Sequence, residues 1–338
     1  MGKIAIVGET WGKDEEAQGK PFVGYAGRIL RACLHQVGIN FHSCLVTNVF
    51  NLRPTPTNNI LNLCGPKTEG IPGRPPLAKG KYVRVEFAPE LERLEAELLA
   101  FRPNVVIALG GTATWALLGT SGIKQLRGCP FLSNLGLKVL PTWHPSAVGR
   151  DWTLRPQLIA DLTKARREAA FPEVRRPKRE LWIDPTIEDI RTFIRDYIHP
   201  SPRLSVDIET IAGQITCIGF APSKDRALVI PFHDPRKKDG NYWSTLREEL
   251  EAWALVRKIL TNPNKEIVGQ NFLYDANFLW SRYHIPIPGM THDTMLLHHS
   301  LQPELPKGLD WLASVYTDEP KWKFMGGGGK KLVNEKKD

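Results

Sequence analysis

Leu204-Ser205-Val206-Asp207-Ile208-Glu209-Thr210 sets two carboxylates, separated by one residue, in an apolar run. In a β-strand this spacing points both side chains to the same face. A second run, Val268-Gly269-Gln270-Asn271-Phe272-Leu273-Tyr274-Asp275, supplies a third carboxylate. Crowded carboxylates repel one another unless cations lie between them. We therefore predict that Asp207, Glu209 and Asp275 bind Mg²⁺ or Mn²⁺ in a two-metal site of the kind that cleaves phosphodiesters.

The segments around these carboxylates read as short β-rich runs followed by mixed helices and strands. The predicted elements are strands over 205–209, 215–220, 227–232 and 266–269, and helices over 253–260 and 274–280. This order closely resembles the DEDD-type 3′–5′ proofreading exonuclease domain of bacterial and phage family A DNA polymerases. Residues 291–296 and 307–313 resemble the helical region that follows in that family. The resemblance implies an RNase H-like fold.

The same resemblance assigns roles to four residues. Asp207 and Glu209 form the first exonuclease motif, and Asn271 and Asp275 form the second, with Asn271 at the DNA. The family then supplies a fourth carboxylate in a Tyr-x-x-x-Asp pattern, but the chain reaches Asp338 without one. We therefore expect an exonuclease domain that lacks its last motif, at the front of a longer polymerase-type protein.

Length and composition indicate a protein of about two domains. The chain has 338 residues, of which 42% are hydrophobic and 24% charged, as in ordinary globular proteins. No apolar run approaches the roughly 20 residues that span a bilayer, and no secretory signal is seen, so no membrane partner is expected. Five scattered cysteines indicate reduced thiols. The predicted location is the cytoplasm, that of the host if the chain is phage-encoded.

Charge is distributed unevenly along the chain. Most of the formal +9 lies in the first 170 residues, which favours a polyanionic partner, although basic side chains can also serve solubility alone. The expected partner is DNA, as a single strand or primer–template, including DNA that contains uracil. Residues 171–182 combine prolines with arginines and predict an exposed basic linker. The predicted domains are therefore 1–170 and 183–338.

The first half has the pattern of an α/β sheet. Ile4-Ala5-Ile6-Val7 is a short apolar run that ends in Gly8, as expected for a buried strand leading into a turn. Further strands are predicted over 44–49, 104–110 and 137–140, with a helix over 89–100 and another from residue 111. Leucines of the first of these helices fall on one side, with glutamates between them. We predict a three-layer α/β/α domain.

Five short motifs follow one another in this half. They are Gly8-Glu9, Gly19-Lys20-Pro21-Phe22-Val23-Gly24-Tyr25-Ala26-Gly27, Thr47-Asn48-Val49-Phe50-Asn51-Leu52-Arg53-Pro54, Leu126-Arg127-Gly128 and His144-Pro145-Ser146. Each motif alone is weak evidence. Their order resembles the uracil-DNA glycosylase superfamily, nearest to its family 4, over nearly all of residues 1–165.

This second resemblance implies a pocket for a base rotated out of the DNA. Phe22 would stack on the base, and Asn48 would read its hydrogen-bonding edge. Breaking the bond between base and sugar leaves negative charge on the base, and His144 would stabilise that charge by donating a hydrogen bond.

The surroundings of the pocket are implied as well. Gly8, Glu9 and Thr10 would border it, while Arg127 and Ser146 would approach DNA phosphates. In the best-known branch of the superfamily an aspartate stands at the place of Thr10 and positions water. Threonine cannot act as a carboxylate base.

Family 4 members also carry an iron–sulfur cluster on four cysteines. Here Cys33, Cys44, Cys64 and Cys129 lack the close pairing that cluster ligands have. No iron–sulfur cluster is expected.

Taken together, the sequence predicts a DNA replication or repair protein. Its glycosylase-like domain would bind DNA and precede a proofreading exonuclease domain, as in the N-terminal part of some phage DNA polymerases, with a polymerase domain in cis or in trans. Two alternatives stay open. One is an active uracil-DNA glycosylase that uses Phe22, Asn48 and His144. The other is a non-catalytic module that grips DNA or senses uracil in the template.

Overall fold

The computed structural model describes residues 2–120 and 122–319. The chain divides into two compact units. Unit 1 comprises Met1–Arg175 and the segment that begins at Asp310, and unit 2 comprises Arg176–Leu309. The division predicted from the sequence placed all of 183–338 in one domain, whereas the structure groups the described residues after Leu309 with unit 1. Each unit has its own sheet and its own apolar core.

Unit 1 is built on a five-stranded sheet. The strands of unit 1, two of which lie outside this sheet, are β1 (Ile4–Thr10), β2 (Leu45–Phe50), β3 (Cys64–Gly65), β4 (Tyr82–Val83), β5 (Val105–Leu109), β6 (Phe131–Leu132) and β7 (Lys138–Thr142). The strand order of the main sheet is β2-β1-β5-β7-β6, in which the first four strands are parallel and β6 is an antiparallel edge. β3 and β4 pair separately.

Helices cover both faces of this sheet. They are α1 (Lys13–Gln18), α2 (Tyr25–Gln36), α3 (Ala88–Phe101), α4 (Gly110–Leu118), α5 (Ile123–Leu126), α6 (Pro145–Arg150) and α7 (Arg155–Glu168). Ile4 and Ile6 of β1 pack with α2 and α7, whereas Ala5 and Val7 pack with α3 and α4. Because successive strand residues face opposite sides, a fully apolar strand needs a helical layer on each face. The predicted three-layer α/β/α architecture is confirmed.

Unit 2 is built on a mixed six-stranded sheet. Its elements are β8 (Glu180–Trp182), α8 (Ile187–Phe193), β9 (Arg203–Ile211), β10 (Gln214–Ser223), β11 (Arg226–Pro231), α9 (Leu246–Leu260), β12 (Glu266–Gly269), α10 (Leu273–Tyr283), β13 (Thr291–Asp293) and α11 (Thr294–Leu301). The order is β13-β12-β9-β10-β11-β8. β9, β10 and β11 form the predicted antiparallel meander, and β12 pairs parallel with β9. This arrangement confirms the RNase H-like sheet.

β8 falls inside the segment that was predicted to be linker. It pairs in parallel with β11, so the last three residues of 171–182 belong to the sheet of unit 2. Arg226 Nε donates to Glu180 Oε2 across this pair at 3.0 Å. The basic, proline-rich composition of this segment predicted a linker. Composition alone could not reveal that the end of the segment forms the edge strand of the sheet in unit 2.

β9 alternates between apolar and polar residues. Leu204, Val206 and Ile208 are at most 6% exposed and pack in the core of unit 2. Asp207 and Glu209 lie on the opposite, exposed face of the same strand. The two-residue period of a strand therefore gives one face to the core and the other to the carboxylates.

α12 (Leu309–Tyr316) is the last helix among the described residues. The resemblance assigned 307–313 to the helical region of the exonuclease domain, but this helix groups with unit 1. Lys164 Nζ donates to the carbonyl oxygen of Ser314 at 2.7 Å, and Arg127 Nη1 donates to Ser314 Oγ at 2.8 Å. Hydrogen bonds from these buried cations account for the packing of the segment against unit 1.

Within residues 2–120 and 122–319, no helix has the length and apolarity that crossing a membrane requires.

Candidate active sites

A cavity of about 640 Å³ opens beside the carboxyl ends of β1 and β7 in unit 1. Parallel strands end at the same edge of a sheet, which brings loops from distant parts of the sequence together there. The residues singled out from the sequence that line it are Glu9, Thr10, Phe22, Asn48, His144 and Ser146. The structure therefore gathers side chains from four of the five motifs around one space.

Phe22 forms a fixed wall of this cavity. Its ring is 4% exposed, and its centroid lies 6.0 Å from that of His144, with 32° between the ring planes. The backbone φ of Phe22 is 56°, in the left-handed region that non-glycine residues rarely adopt. Gly27 makes this possible, because a Cβ there would lie 1.8 Å from the carbonyl oxygen of Phe22. The tight turn and the surrounding packing hold the ring in place.

Asn48 lies on β2 opposite Gly8 of β1 and is 2% exposed. Arg93 Nη2 donates to the carbonyl oxygen of Asn48 at 2.9 Å. Arg93 is itself held by ion pairs with Glu90 and Glu97, at 3.1 and 2.7 Å. This chain of contacts fixes the backbone that carries the Asn48 amide, which borders the cavity.

His144 is the N-cap residue of α6. Its Nδ1 accepts a hydrogen bond from the backbone N–H of Ser146 at 3.2 Å. Burial lowers the pKa of His144 to about 4, and the positive charge of Arg150 acts in the same direction. The ring is therefore neutral at pH 7, and because Nδ1 is an acceptor, its single proton is on Nε2. His144 can donate one hydrogen bond without carrying a charge.

Glu9 brings a carboxyl group to the cavity. Burial raises the pKa of Glu9, while a hydrogen bond from Thr112 and the charge of Arg150 oppose that shift. Thr112 Oγ1 donates to Glu9 Oε2 at 2.5 Å. Sequence reasoning missed both Thr112 and Arg150, since one looked like an ordinary helix start and the other like a surface arginine.

Arg127 requires a correction. Instead of reaching towards DNA, it is 6% exposed and donates two hydrogen bonds to the carboxylate of Asp161, at 3.0 and 2.5 Å. Thr142 Oγ1 donates to the same carboxylate at 2.6 Å. A guanidinium group that is buried and paired in this way does not approach a phosphate. Ser146, its expected companion, does line the cavity.

A second set of functional groups lies in unit 2, where Asp275 occupies the first turn of α10. Its Oδ1 accepts a hydrogen bond from the N–H of Ile208, the residue between Asp207 and Glu209, at 3.0 Å. Burial raises the pKa of Asp275 to about 6, and the negative charges of Asp207 and Asp293 add to the shift. The structure thus brings Asp207 and Asp275 within electrostatic reach of one another.

Asn271 begins the turn into α10 with a φ of 54° and an exposed side chain. Its N–H donates to Asp293 Oδ1 at 3.0 Å, and the N–H of Phe272 donates to Asp293 Oδ2 at 2.8 Å. Asp293 also accepts from the N–H of Met295 and so caps α11. In the sequence, Asp293 was predicted only as part of a helical region. Its position at the end of β13 lets its carboxylate bond to the starts of both α10 and α11.

No group of three or more His, Cys, Asp or Glu side chains within 2–120 and 122–319 is arranged to hold a metal ion. Asp207, Glu209 and Asp275 therefore do not form the predicted ligand set as the structure stands, and one oxygen of Asp275 is already bonded to the backbone. The Mg²⁺ or Mn²⁺ site stays a prediction, as does the lack of an iron–sulfur cluster. Asp338 lies outside the described residues.

Known proteins resemble the two units differently. The pattern of the Uracil DNA glycosylase superfamily matches residues 2–175. The Type-4 uracil-DNA glycosylase of Thermotoga maritima is 31% identical over 172 residues, which are 48% of this chain and 76% of that protein. The chain belongs to the uracil-DNA glycosylase superfamily. The Type-4 enzyme of Archaeoglobus fulgidus is 30% identical over 174 residues, 48% of this chain and 74% of its own.

The glycosylase superfamily match ends at the junction with unit 2. The DNA polymerase of Bacillus phage SP01 is 23% identical over a 329-residue alignment that covers 88% of this chain and 32% of the phage protein. The solved structure of the EXD2 exonuclease domain soaked in Mn and GMP matches 41% of this chain and 70% of its own, at 16% identity and a TM-score of 0.27. The structure of Escherichia coli RNase D matches 42% of this chain and 34% of its own, at 13% identity and a TM-score of 0.31. With scores this low, the order of strands carries the assignment of fold.

In this glycosylase superfamily member, Gly8→Ala is expected to displace Asn48 or Phe22, two of the side chains that line the cavity. A Cβ at Gly8 would lie 2.2 Å from Asn48 Oδ1 and 2.5 Å from Phe22 Cζ. Both distances are far below van der Waals contact, so one side chain must move. A displacement of about 1 Å can cost roughly 10²-fold in rate. We expect a loss of that order in uracil release, measured under single-turnover conditions. Gly219→Ala is the control, since its nearest neighbour would be 3.9 Å away.

Proposed function

We propose that this chain is a DNA-processing protein whose unit 1 hydrolyses the bond between uracil and deoxyribose. The observation that carries the proposal is the hydrogen bond that His144 Nδ1 accepts from Ser146, which leaves Nε2 to donate, in a cavity shared with Phe22 and Asn48. A donor aimed at developing charge accelerates a reaction because it bonds the transition state more strongly than the substrate.

The chemistry follows from the groups around the cavity. A uracil rotated out of the stack would present one ring face to Phe22 and its polar edge to the amide of Asn48, which has both a donor and an acceptor. Water forms a bond to the sugar carbon as the bond to the base breaks, and the base leaves with the electron pair of the broken bond. The proton that the water loses ends on the departing base, which completes the hydrolysis. His144 donates from Nε2 to the negative charge on the leaving base. None of these steps requires a metal ion.

Uracil release in EDTA tests this proposal. The full chain is incubated with single-stranded DNA that contains one uracil, and alkali-labile sites are counted. We expect cleavage at uracil, none in the same strand with thymine, and a large loss in Asn48→Ala. Asn264→Ala, which removes an exposed amide in unit 2, is the control. Intact binding without alkali-labile sites would overturn the proposal in favour of a non-catalytic module that senses uracil.

We propose a second candidate for unit 2, a metal-dependent 3′–5′ exonuclease that works beside a polymerase domain in cis or in trans. The supporting observation is the approach of Asp275 to Asp207, which raises the pKa of Asp275 through repulsion in addition to burial. A bound divalent cation would neutralise that repulsion. The likeness to a phage DNA polymerase across most of the chain supports the same proposal.

Asp207→Ala is expected to abolish any release of nucleotides from a 3′ end that depends on Mg²⁺ or Mn²⁺. The reason is that Asp207 lies close enough to Asp275 for its negative charge to raise the pKa of Asp275. Nucleotide release from a labelled primer is followed with Mn²⁺ and with EDTA. Glu304→Ala removes an exposed carboxylate elsewhere in unit 2 and should leave the activity unchanged. Release that persists in EDTA or in Asp207→Ala would contradict the candidate.

A further inference from the structure

Two large aromatic rings stand exposed beside the cavity of unit 1. Tyr25 is 58% exposed and lines the cavity. Trp152 is 62% exposed and lies two residues after Arg150, which also lines the cavity. Aromatic side chains usually bury most of their surface, and clustered exposed ones mark interaction sites. These rings therefore need a partner that covers them.

Both rings are held in place by the surrounding side chains. A Cβ added to Gly149 of α6 would lie 2.6 Å from Cε1 of Tyr25, so the Tyr25 ring lies flush against that helix. The guanidinium group of Arg155 lies 5.3 Å from the ring centroid of Trp152. Arg155 Nη2 in turn donates to Gln36 Oε1 at 2.6 Å. A ring that is already ordered loses little entropy when a ligand stacks on it.

Arg155 connects Trp152 to the helix that Tyr25 begins. Tyr25 is the first residue of α2, and Gln36, to which Arg155 bonds, is the last. Twelve residues of α-helix span about 18 Å. Helix α2 is therefore long enough to accompany several nucleotides, and the cavity lies beside its first residue.

Positive charge accompanies the rings. Arg28 lies 5.8 Å from the ring centroid of Tyr25, and Arg31 of the same helix lies 4.5 Å from that of Phe41. Arg150 and Arg155 add two more guanidinium groups. This alternation of aromatic and basic groups complements a polyanion with flat bases.

Carboxylates also lie near this surface. Glu15 accepts from the backbone N–H groups of Gly12 and Gly24, and Asp151 accepts from the N–H and hydroxyl of Thr153. Asp14 lines the cavity as well and adds a negative charge there. The four arginines outnumber it on this surface.

We propose that Tyr25 and Trp152 form a stacking surface for the unpaired bases of single-stranded DNA next to the nucleotide in the cavity, with the arginines of α2 and Arg155 at its phosphates. The proposal rests on the proposed excision function for its substrate. Duplex DNA keeps its base faces stacked on one another, so exposed rings on the protein gain little from it. A single strand offers a free face at every base.

Binding of a labelled oligothymidylate that contains no uracil tests the surface. Fluorescence anisotropy gives Kd for the full chain and its variants. We expect Tyr25→Ala and Trp152→Ala each to weaken binding about tenfold, in line with the loss of one base–aromatic stack. Tyr25→Phe and Trp152→Phe keep a ring and should bind like the parent chain. Leu132→Ala, which trims another side chain of unit 1 that is 63% exposed, should have no effect.

Salt separates stacking from charge. Tyr25→Ala should leave the slope of log K against log salt unchanged, whereas Arg28→Ala should reduce the magnitude of that slope by about 0.7, the value for one phosphate contact with a single strand. Alanine variants that bind as tightly as the parent, or that lose as much affinity for duplex as for single strand, would overturn the surface. Because the probe holds no uracil, an inactive glycosylase pocket leaves this result unaffected. Far-UV circular dichroism confirms that each variant is folded.

Discussion

His144→Ala is expected to slow uracil release by about 10²–10³-fold, the usual loss when one preorganised donor to a developing anion is removed. The imidazole is neutral because burial and the charge of Arg150 lower its pKa to about 4. Its proton is fixed on Nε2 by the hydrogen bond that Nδ1 accepts from Ser146. Alanine removes the donor and leaves the rest of the cavity. Single-turnover release from uracil-containing DNA in EDTA measures the effect.

His35→Ala provides the matched control for this result, since His35 is exposed on α2 of the same unit. A rate within a few-fold of the parent chain in His144→Ala would remove His144 from the mechanism. The dependence of the uracil-release rate on pH provides a second test. A ring whose pKa is about 4 stays neutral through the usual assay range, so the rate should not fall with protonation of His144 until the pH approaches that value.

Asp161→Asn is expected to cost unit 1 about 3–5 kcal/mol of stability, the usual effect of breaking a buried ion pair from one side. Asp161 is fully buried and accepts hydrogen bonds from Arg127 and Thr142. Asparagine keeps the shape but leaves the guanidinium group of Arg127 without a counter-charge. Lys164, which is 5% exposed beside it, loses the same charge.

Hydrogen exchange of peptides from α7 and β7 measures this loss within unit 1, with peptides from unit 2 as the internal reference. Glu16→Gln is the control, because the Glu16–Arg53 pair is 3.1 Å long but largely exposed, and exposed pairs contribute about 1 kcal/mol or less. Protection in α7 that falls no further in Asp161→Asn than in Glu16→Gln would show that the pair is not needed. Arg127→Met combined with Asp161→Leu removes both charges and should recover part of the loss.

The fold could be predicted where local periodicity carries it. The apolar run of β1 required helices on both faces, and the alternation in β9 put Asp207 and Glu209 opposite a core of Leu204 and Val206. These features depend on neighbours one or two residues away, so sequence alone contains them. The order of the glycosylase motifs likewise named the side chains that meet in one cavity.

The hydrogen-bonding partners of a buried side chain could not be predicted in the same way. Arg127 stands in a motif that suggested a phosphate contact, yet its partners are Asp161, 34 residues away, and Ser314, 187 residues away. A guanidinium group binds a carboxylate and a phosphate through the same geometry, and only burial decides between them. Helix α12 was predicted to belong to the exonuclease domain, but it groups with unit 1. The apolar pattern of a helix does not show which of two cores the helix packs against.

The sequence by itself determined the central strands of the two sheets, the helical layers of unit 1 and the identities of Phe22, Asn48 and His144, because these follow from strand period and motif order. Only the tertiary structure decided that His144 is neutral with its proton on Nε2, that Asp293 braces the turn before Asp275, and that Arg127 is buried. Protonation, bracing and burial depend on which distant groups come within hydrogen-bonding distance. That distance is set when the chain closes on itself, and no local pattern encodes it.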